Sequence, residues 1–127
     1  MEGTLAEKKC VPCEGGAKPL APDAEETKAL LSSLNRGPLF GGIAWRLDEG
    51  GKVIKKTFRF RDFAAARDAV FVIARVAEEE GHHPDIEWAY ATVTITLWTH
   101  AIDGLSENDF ILAAKIERAL AAEENKT

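Results

Sequence analysis

The sequence predicts an α+β domain of two layers, a four-stranded antiparallel sheet with three helices on one face, in the order α-β-β-α-β-β-α. Two observations lead there. Apolar residues recur at helical spacing in three separate stretches, and β-branched and aromatic residues alternate in the runs between them. The turns joining those runs are short, so neighbouring strands are expected to pair antiparallel. A chain of 127 residues is one domain by length and can bury its own core without disulfides.

Each element has its own signals. Residues 1–21 contain Pro12, Gly15, Gly16 and Pro19 and no apolar period, and read as a flexible lead-in. The first helix is expected from Asp23, with Glu26 at capping-box spacing and Thr27, Leu30, Leu31 and Leu34 as its inner stripe. Asn35, Gly37 and Pro38 end it. A first strand alternates Ile43, Trp45 and Leu47 with Ala44 and Arg46. Asp48-Glu49-Gly50-Gly51 signals a hairpin into a strand from Val53 to Phe60. Lys56 interrupts the alternation there, so that face is expected to be only partly covered.

A long helix is expected from Phe63 to Glu80, capped by Asp62, with Phe63, Ala66, Val70, Ile73 and Ala77 facing inward and Gly81 just past its end. Its last turn holds Glu78, Glu79 and Glu80, three carboxylates at the negative end of the helix dipole. A solvated acidic face is one reading of Glu79 and Glu80, with a role in a site as the other. The stretch from about Ile86 to Thr99 divides into two strands, near 86–90 and 92–98. The last helix starts at Ser106, where Ser106 and Asp109 have capping-box spacing and Leu105 with Phe110 forms a staple; Leu112, Ile116 and Leu120 face inward. The folded domain is therefore expected over 22–122, with a frayed tail at 123–127.

Composition excludes several classes. Sixteen basic against 21 acidic residues leave a net charge of −5, without the basic face that nucleic acid requires. No apolar run reaches membrane-spanning length, and the start of the chain is too polar for a signal peptide, so a cytoplasmic location is expected.

The chemistry concentrates in two loops. All three histidines, His82, His83 and His100, lie where the chain leaves a helix or a strand. Pro84 restricts His83 to extended backbone, so the adjacent imidazoles are expected to diverge. Three readings remain open on spacing alone. The histidines could hydrogen-bond the last helix carbonyls, exchange protons with a substrate, or join Glu78 or Asp85 in a metal site. Cys10 and Cys13 form a lone CxxC without the further ligands of a zinc site or the strand-to-helix setting of a redox site. Trp45, Trp88 and Trp98 read as core or pocket wall, and Trp98, two residues before His100, could bound a pocket for a flat ring.

Taken together, Glu78, His82-His83-Pro84, Tyr90, Thr99-His100 and Asp109 resemble the pattern of the pterin-4a-carbinolamine dehydratases. Trp45, the Lys56 to Phe63 stretch and the lead-in through Cys10 and Cys13 extend the resemblance over most of the chain. It implies a lyase that needs no metal or cofactor and dehydrates 4a-hydroxytetrahydrobiopterin to the quinonoid dihydropterin, recycling the pterin of an aromatic amino acid hydroxylase. By the same resemblance His82 and His100 are the acid–base pair, His83 acts with them and orients the pterin, and Glu78, Pro84, Trp98 and Thr99 help form its site. Asp109 is already explained as part of a helix cap. A homodimer or homotetramer is implied, with neither nucleic acid nor membrane as partner. Gly81, Ile86 and Trp98 depart from the animal members, which bears on substrate preference. A non-catalytic binding or assembly protein of the same fold is the alternative.

Overall fold

The computed structural model describes residues 5–11 and 18–124. Three helices, α1 (Glu25–Arg36), α2 (Phe63–Glu80) and α3 (Glu107–Glu124), pack with four strands, β1 (Arg46–Asp48), β2 (Val53–Arg59), β3 (Asp85–Ala89) and β4 (Thr92–Leu97). The strands form one antiparallel sheet in the order β1-β2-β4-β3. Among the described residues no helix is long and apolar enough to cross a membrane.

Register decides which sheet face carries the core. Ile54 pairs with Leu97, Lys56 with Ile95 and Phe58 with Val93, while Ile86 of β3 lies opposite Ile95. These residues share a face because side chains alternate along a strand. Ala66, Ile73 and Ala77 of α2 and Phe110, Leu112 and Ile116 of α3 complete the same buried cluster. The other face presents Lys55, Thr57, Arg59, Thr92 and Thr94.

Several expectations are corrected in detail. The first helix begins at Glu25 after Ala24, not with Asp23 as its cap. Asp23 instead falls in a turn closed by the Ala24 N–H on the Ala21 carbonyl, which also accepts the hydroxyl of buried Thr27. β1 is shorter than the alternation of Ile43, Trp45 and Leu47 suggested. The Asn35 side chain donates to the Trp45 carbonyl and accepts from the Trp45 N–H, occupying the groups a longer strand would use. Phe63 is half exposed and stacks on Trp88 instead of entering the core, and Ala69, Val72 and Val76 carry the inner face of α2 with Ala66, Ile73 and Ala77.

The face interrupted by Lys56 is fully covered. Lys56 is 0% exposed, and its ammonium donates to Glu117 and to the Phe40 carbonyl. Glu117 also accepts from the Trp45 indole and the Phe40 N–H, so both charges of this cluster have partners. Burial nevertheless pushes the Lys56 pKa below the usual lysine value, against the pull of Glu117.

Residues 5–11, part of the expected lead-in, lie against α3. Leu5 is buried in the core cluster, and Lys115 and Arg118 both donate to the Ala6 carbonyl. Lys8 pairs with Glu107.

Candidate active site

The end of α2 places the first two histidines. Gly81 sits at φ 65°, the left-handed conformation glycine adopts without a Cβ penalty. Its N–H bonds to the Glu78 carbonyl and the His82 N–H to the Ala77 carbonyl, closing the helix in a Schellman arrangement. His82 thus leaves α2 in a fixed direction.

The imidazoles diverge, as Pro84 required. His82 turns inward, and its Nε2 lies 2.6 Å from Oδ1 of Asp109, which is 0% exposed. His83 turns outward, with its Nε2 2.9 Å from Oε1 of exposed Glu78. The two histidines therefore engage different carboxylates. Among the described residues no three His, Cys, Asp or Glu side chains converge as a metal centre would require.

Asp109 does two jobs. Its Oδ2 accepts the Ser106 N–H, the capping-box contact the sequence implied, and also the Thr99 hydroxyl, each at 2.9 Å. The Thr99 hydroxyl oxygen, its own hydrogen given to Asp109, in turn lies 2.7 Å from the Ser106 hydroxyl and accepts from it. When Asp109 is ionised it can only accept, so His82 Nε2 then carries the hydrogen, and in the neutral ring Nδ1 is the nitrogen left to take a proton.

His100 comes from a different element. It opens the short turn His100–Ile102 beyond β4, in a loop clamped where the Thr99 N–H bonds to the Gly104 carbonyl at 2.8 Å. Its ring is exposed and stacks on Trp98 with centroids 4.3 Å apart and planes 4° from parallel.

These parts enclose a cleft of about 500 Å³, lined by His82, His83, His100, Thr99 and Ala101 together with Cys10, Val11, Glu80, Gly81 and Asn108. That volume is in the range of small-molecule sites. Glu78, Pro84 and Trp98 stand outside this lining; Glu78 and Trp98 reach it only through the histidines they touch.

Glu80 departs from the solvated role its position suggested. Its side chain is 9% exposed, accepts the Cys10 N–H at 3.0 Å and lies 3.8 Å from the Lys115 ammonium. Cys10 is half buried, and desolvation, reinforced by Glu80, pushes its thiol up to about 12. It is a neutral wall at ordinary pH. Cys13 lies outside the described residues, so the CxxC has no described geometry.

The sequence alone did not reveal Cys10, Val11, Glu80 or Asn108 as parts of this cleft. The one available signal was their proximity to residues already singled out, since Glu80 lies two residues before His82 and Asn108 one before Asp109.

The family model for pterin 4 alpha carbinolamine dehydratase matches residues 21–119. The chain belongs to that family. A protein of Rickettsia canadensis, provisionally named a pterin-4-alpha-carbinolamine dehydratase, is 44% identical over 113 residues, covering 89% of this chain and 94% of the relative. A protein of Methylococcus capsulatus with the same provisional name is 42% identical over 120 residues, covering 94% and 96%.

Two solved structures share the fold. A transcriptional coactivator/pterin dehydratase from Brucella melitensis has 31% identity and a TM-score of 0.63, covering 76% of this chain and 95% of that one. A pterin dehydratase-like protein, described as a RuBisCO assembly factor in the alpha-carboxysome, has 26% identity and a TM-score of 0.54, covering 61% and 90%. The structural neighbours thus include proteins described in terms other than catalysis.

Proposed function

We propose that the chain catalyses loss of water from a pterin 4a-carbinolamine, giving the quinonoid dihydropterin. The observation that carries this reading is the convergence of three histidines on one cleft, one of them backed by a buried carboxylate. The reaction breaks the carbon–oxygen bond at C4a and removes a proton from a ring nitrogen. The leaving hydroxyl gains a proton and departs as water. No electrons are gained or lost overall, so proton transfer by side chains is sufficient chemistry.

His82 and His100 are the acid–base pair. Asp109 holds His82 in one tautomer and stabilises its imidazolium, which suits His82 Nδ1 to take the ring-nitrogen proton. His100 supplies the proton to the leaving hydroxyl. His83, steered by Glu78, orients the pterin, and Thr99 lines the ring site. Trp98 contributes by stacking on His100. On this reading the dehydratase domain spans residues 22–122, acts in the cytoplasm as a homodimer or homotetramer, and serves an aromatic amino acid hydroxylase. Sedimentation of the purified chain tests the assembly state.

The test of function is ultraviolet absorbance of enzymatically generated 4a-carbinolamine, with wild type beside His82→Ala and His100→Ala. Acceleration by wild type, lost in both variants, is the expected result. A folded wild type no faster than the spontaneous reaction would favour a binding or assembly role, the reading that the carboxysomal relative keeps open.

A further inference from the structure

The segment Cys10–Val11 joins the two elements that bring His82 and Asp109 together. On one side the Cys10 N–H donates to Glu80 Oε1 at 3.0 Å, at the end of α2 and two residues before His82. On the other, the Val11 N–H donates to Asn108 Oδ1 at 2.9 Å, and the Asn108 amide donates back to the Val11 carbonyl. The Cys10 thiol also reaches the Asn108 carbonyl at 3.5 Å. Asn108 immediately precedes Asp109 in the first turn of α3.

The anchors are themselves held. Glu80 lies close to Lys115 of α3, and residues upstream of Cys10 are fixed by Leu5 in the core and by the bonds from Lys115 and Arg118 to Ala6. A side-chain amide gripping both backbone groups of one residue acts as a short piece of ladder and fixes both position and direction. His82 and Asp109 are 27 residues apart, and their 2.6 Å contact depends on how the end of α2 meets the start of α3.

We propose that Asn108 is a positioning residue, and that the strap it fastens braces the end of α2 against the start of α3 so that the His82–Asp109 pair keeps its working geometry. The proposal deepens the dehydratase reading and rests on it only for the kinetic consequence. The geometric consequence can be measured without turnover.

The experiment uses the full chain with Cys13→Ser, which leaves Cys10 as the single thiol, and adds Asn108→Ala or Asn108→Asp. Asp is favourable in the first turn of a helix and keeps an acceptor for the Val11 N–H, but it has no N–H to give the Val11 carbonyl, so it removes half of the grip. Three quantities are read: the alkylation rate of Cys10, the downfield proton resonance of His82 Nε2, and kcat apart from KM. With Asn108→Ala, Cys10 is expected to react at least about tenfold faster, the His82 resonance to broaden or shift upfield, and kcat to fall roughly tenfold or more with KM nearly unchanged, since small displacements at a reacting group cost rate. Asn108→Asp, which keeps one of the two bonds, is expected to give an intermediate change in each. Faster alkylation with an unchanged His82 resonance would overturn the proposal, because the strap would then be loose without consequence for the pair. Unchanged alkylation would overturn it as well, because Asn108 would not be the fastener. A wild type without dehydratase activity would sink the dehydratase reading and leave the thiol and His82 measurements to decide the brace.

Discussion

His82 and His83 are neighbours in sequence and opposites in setting. His82 points inward to a carboxylate that is fully buried and receives two further hydrogen bonds, whereas His83 points outward to a carboxylate in solvent. The contact distances differ little, 2.6 Å against 2.9 Å. What differs is the medium and the rigidity. An exposed pair competes with water and salt and contributes little, while a buried, multiply bonded pair fixes a tautomer and an orientation. Two identical side chains are thereby suited to different work, one to proton transfer and the other to adaptable contact with a ligand.

Removing these side chains in turn separates the two settings. His82→Ala is expected to lower kcat by about 10²–10⁴-fold, the usual worth of a positioned general acid or base, measured by carbinolamine decay. The buried ion pair of Lys56 and Glu117 follows in size. Lys56→Met leaves Glu117 buried without its ammonium and is expected to destabilise the fold by about 3–5 kcal/mol in urea unfolding. Asp109→Asn keeps the shape but weakens the bonds to Ser106, Thr99 and His82. A loss of about 1–3 kcal/mol with at least a tenfold fall in kcat is expected, and unchanged kcat would show that the carboxylate only caps α3.

Cys10 sharpens the same contrast between buried and exposed groups. Its thiol is raised from 9.0 to about 12, so the proton is bound more tightly in the folded chain. The stability this contributes is complete below pH 9 and is lost as pH climbs from 9 toward 12. In Cys13→Ser protein the alkylation rate of Cys10 is therefore expected to keep rising past pH 10, where an unshifted thiol levels off. The smallest effect belongs to the exposed pair. Glu78→Gln is expected to change stability by less than about 0.5 kcal/mol, read by thermal unfolding.

Local signals made much of this legible. Asp62 and Gly81 marked both ends of α2, and Pro84 implied the parting of the imidazoles. The capping-box spacing of Ser106 and Asp109 is realised in the Ser106 N–H bond. The missing parts are contacts between residues distant in sequence. Asp109 could be read as a cap, but its bond to His82 spans 27 residues and depends on how two helices cross. Lys56 looked like a flaw in a strand because Glu117, its partner, lies 61 residues on in the last helix. Asn35 looked like a helix stop, and its grip on both backbone groups of Trp45 cuts a strand short. Residues 5–11 lack any periodic pattern because they are held by individual hydrogen bonds and one buried leucine, not by an amphipathic face.

The most direct measurement is stopped-flow decay of the 4a-carbinolamine catalysed by wild type, His82→Ala and His83→Ala, each over a range of substrate concentration. Wild type is expected to outrun the spontaneous reaction, His82→Ala to lose kcat, and His83→Ala to keep most of kcat while KM rises. Equal losses of kcat in the two variants, or no acceleration by a folded wild type, would contradict the division of labour between buried and exposed histidine.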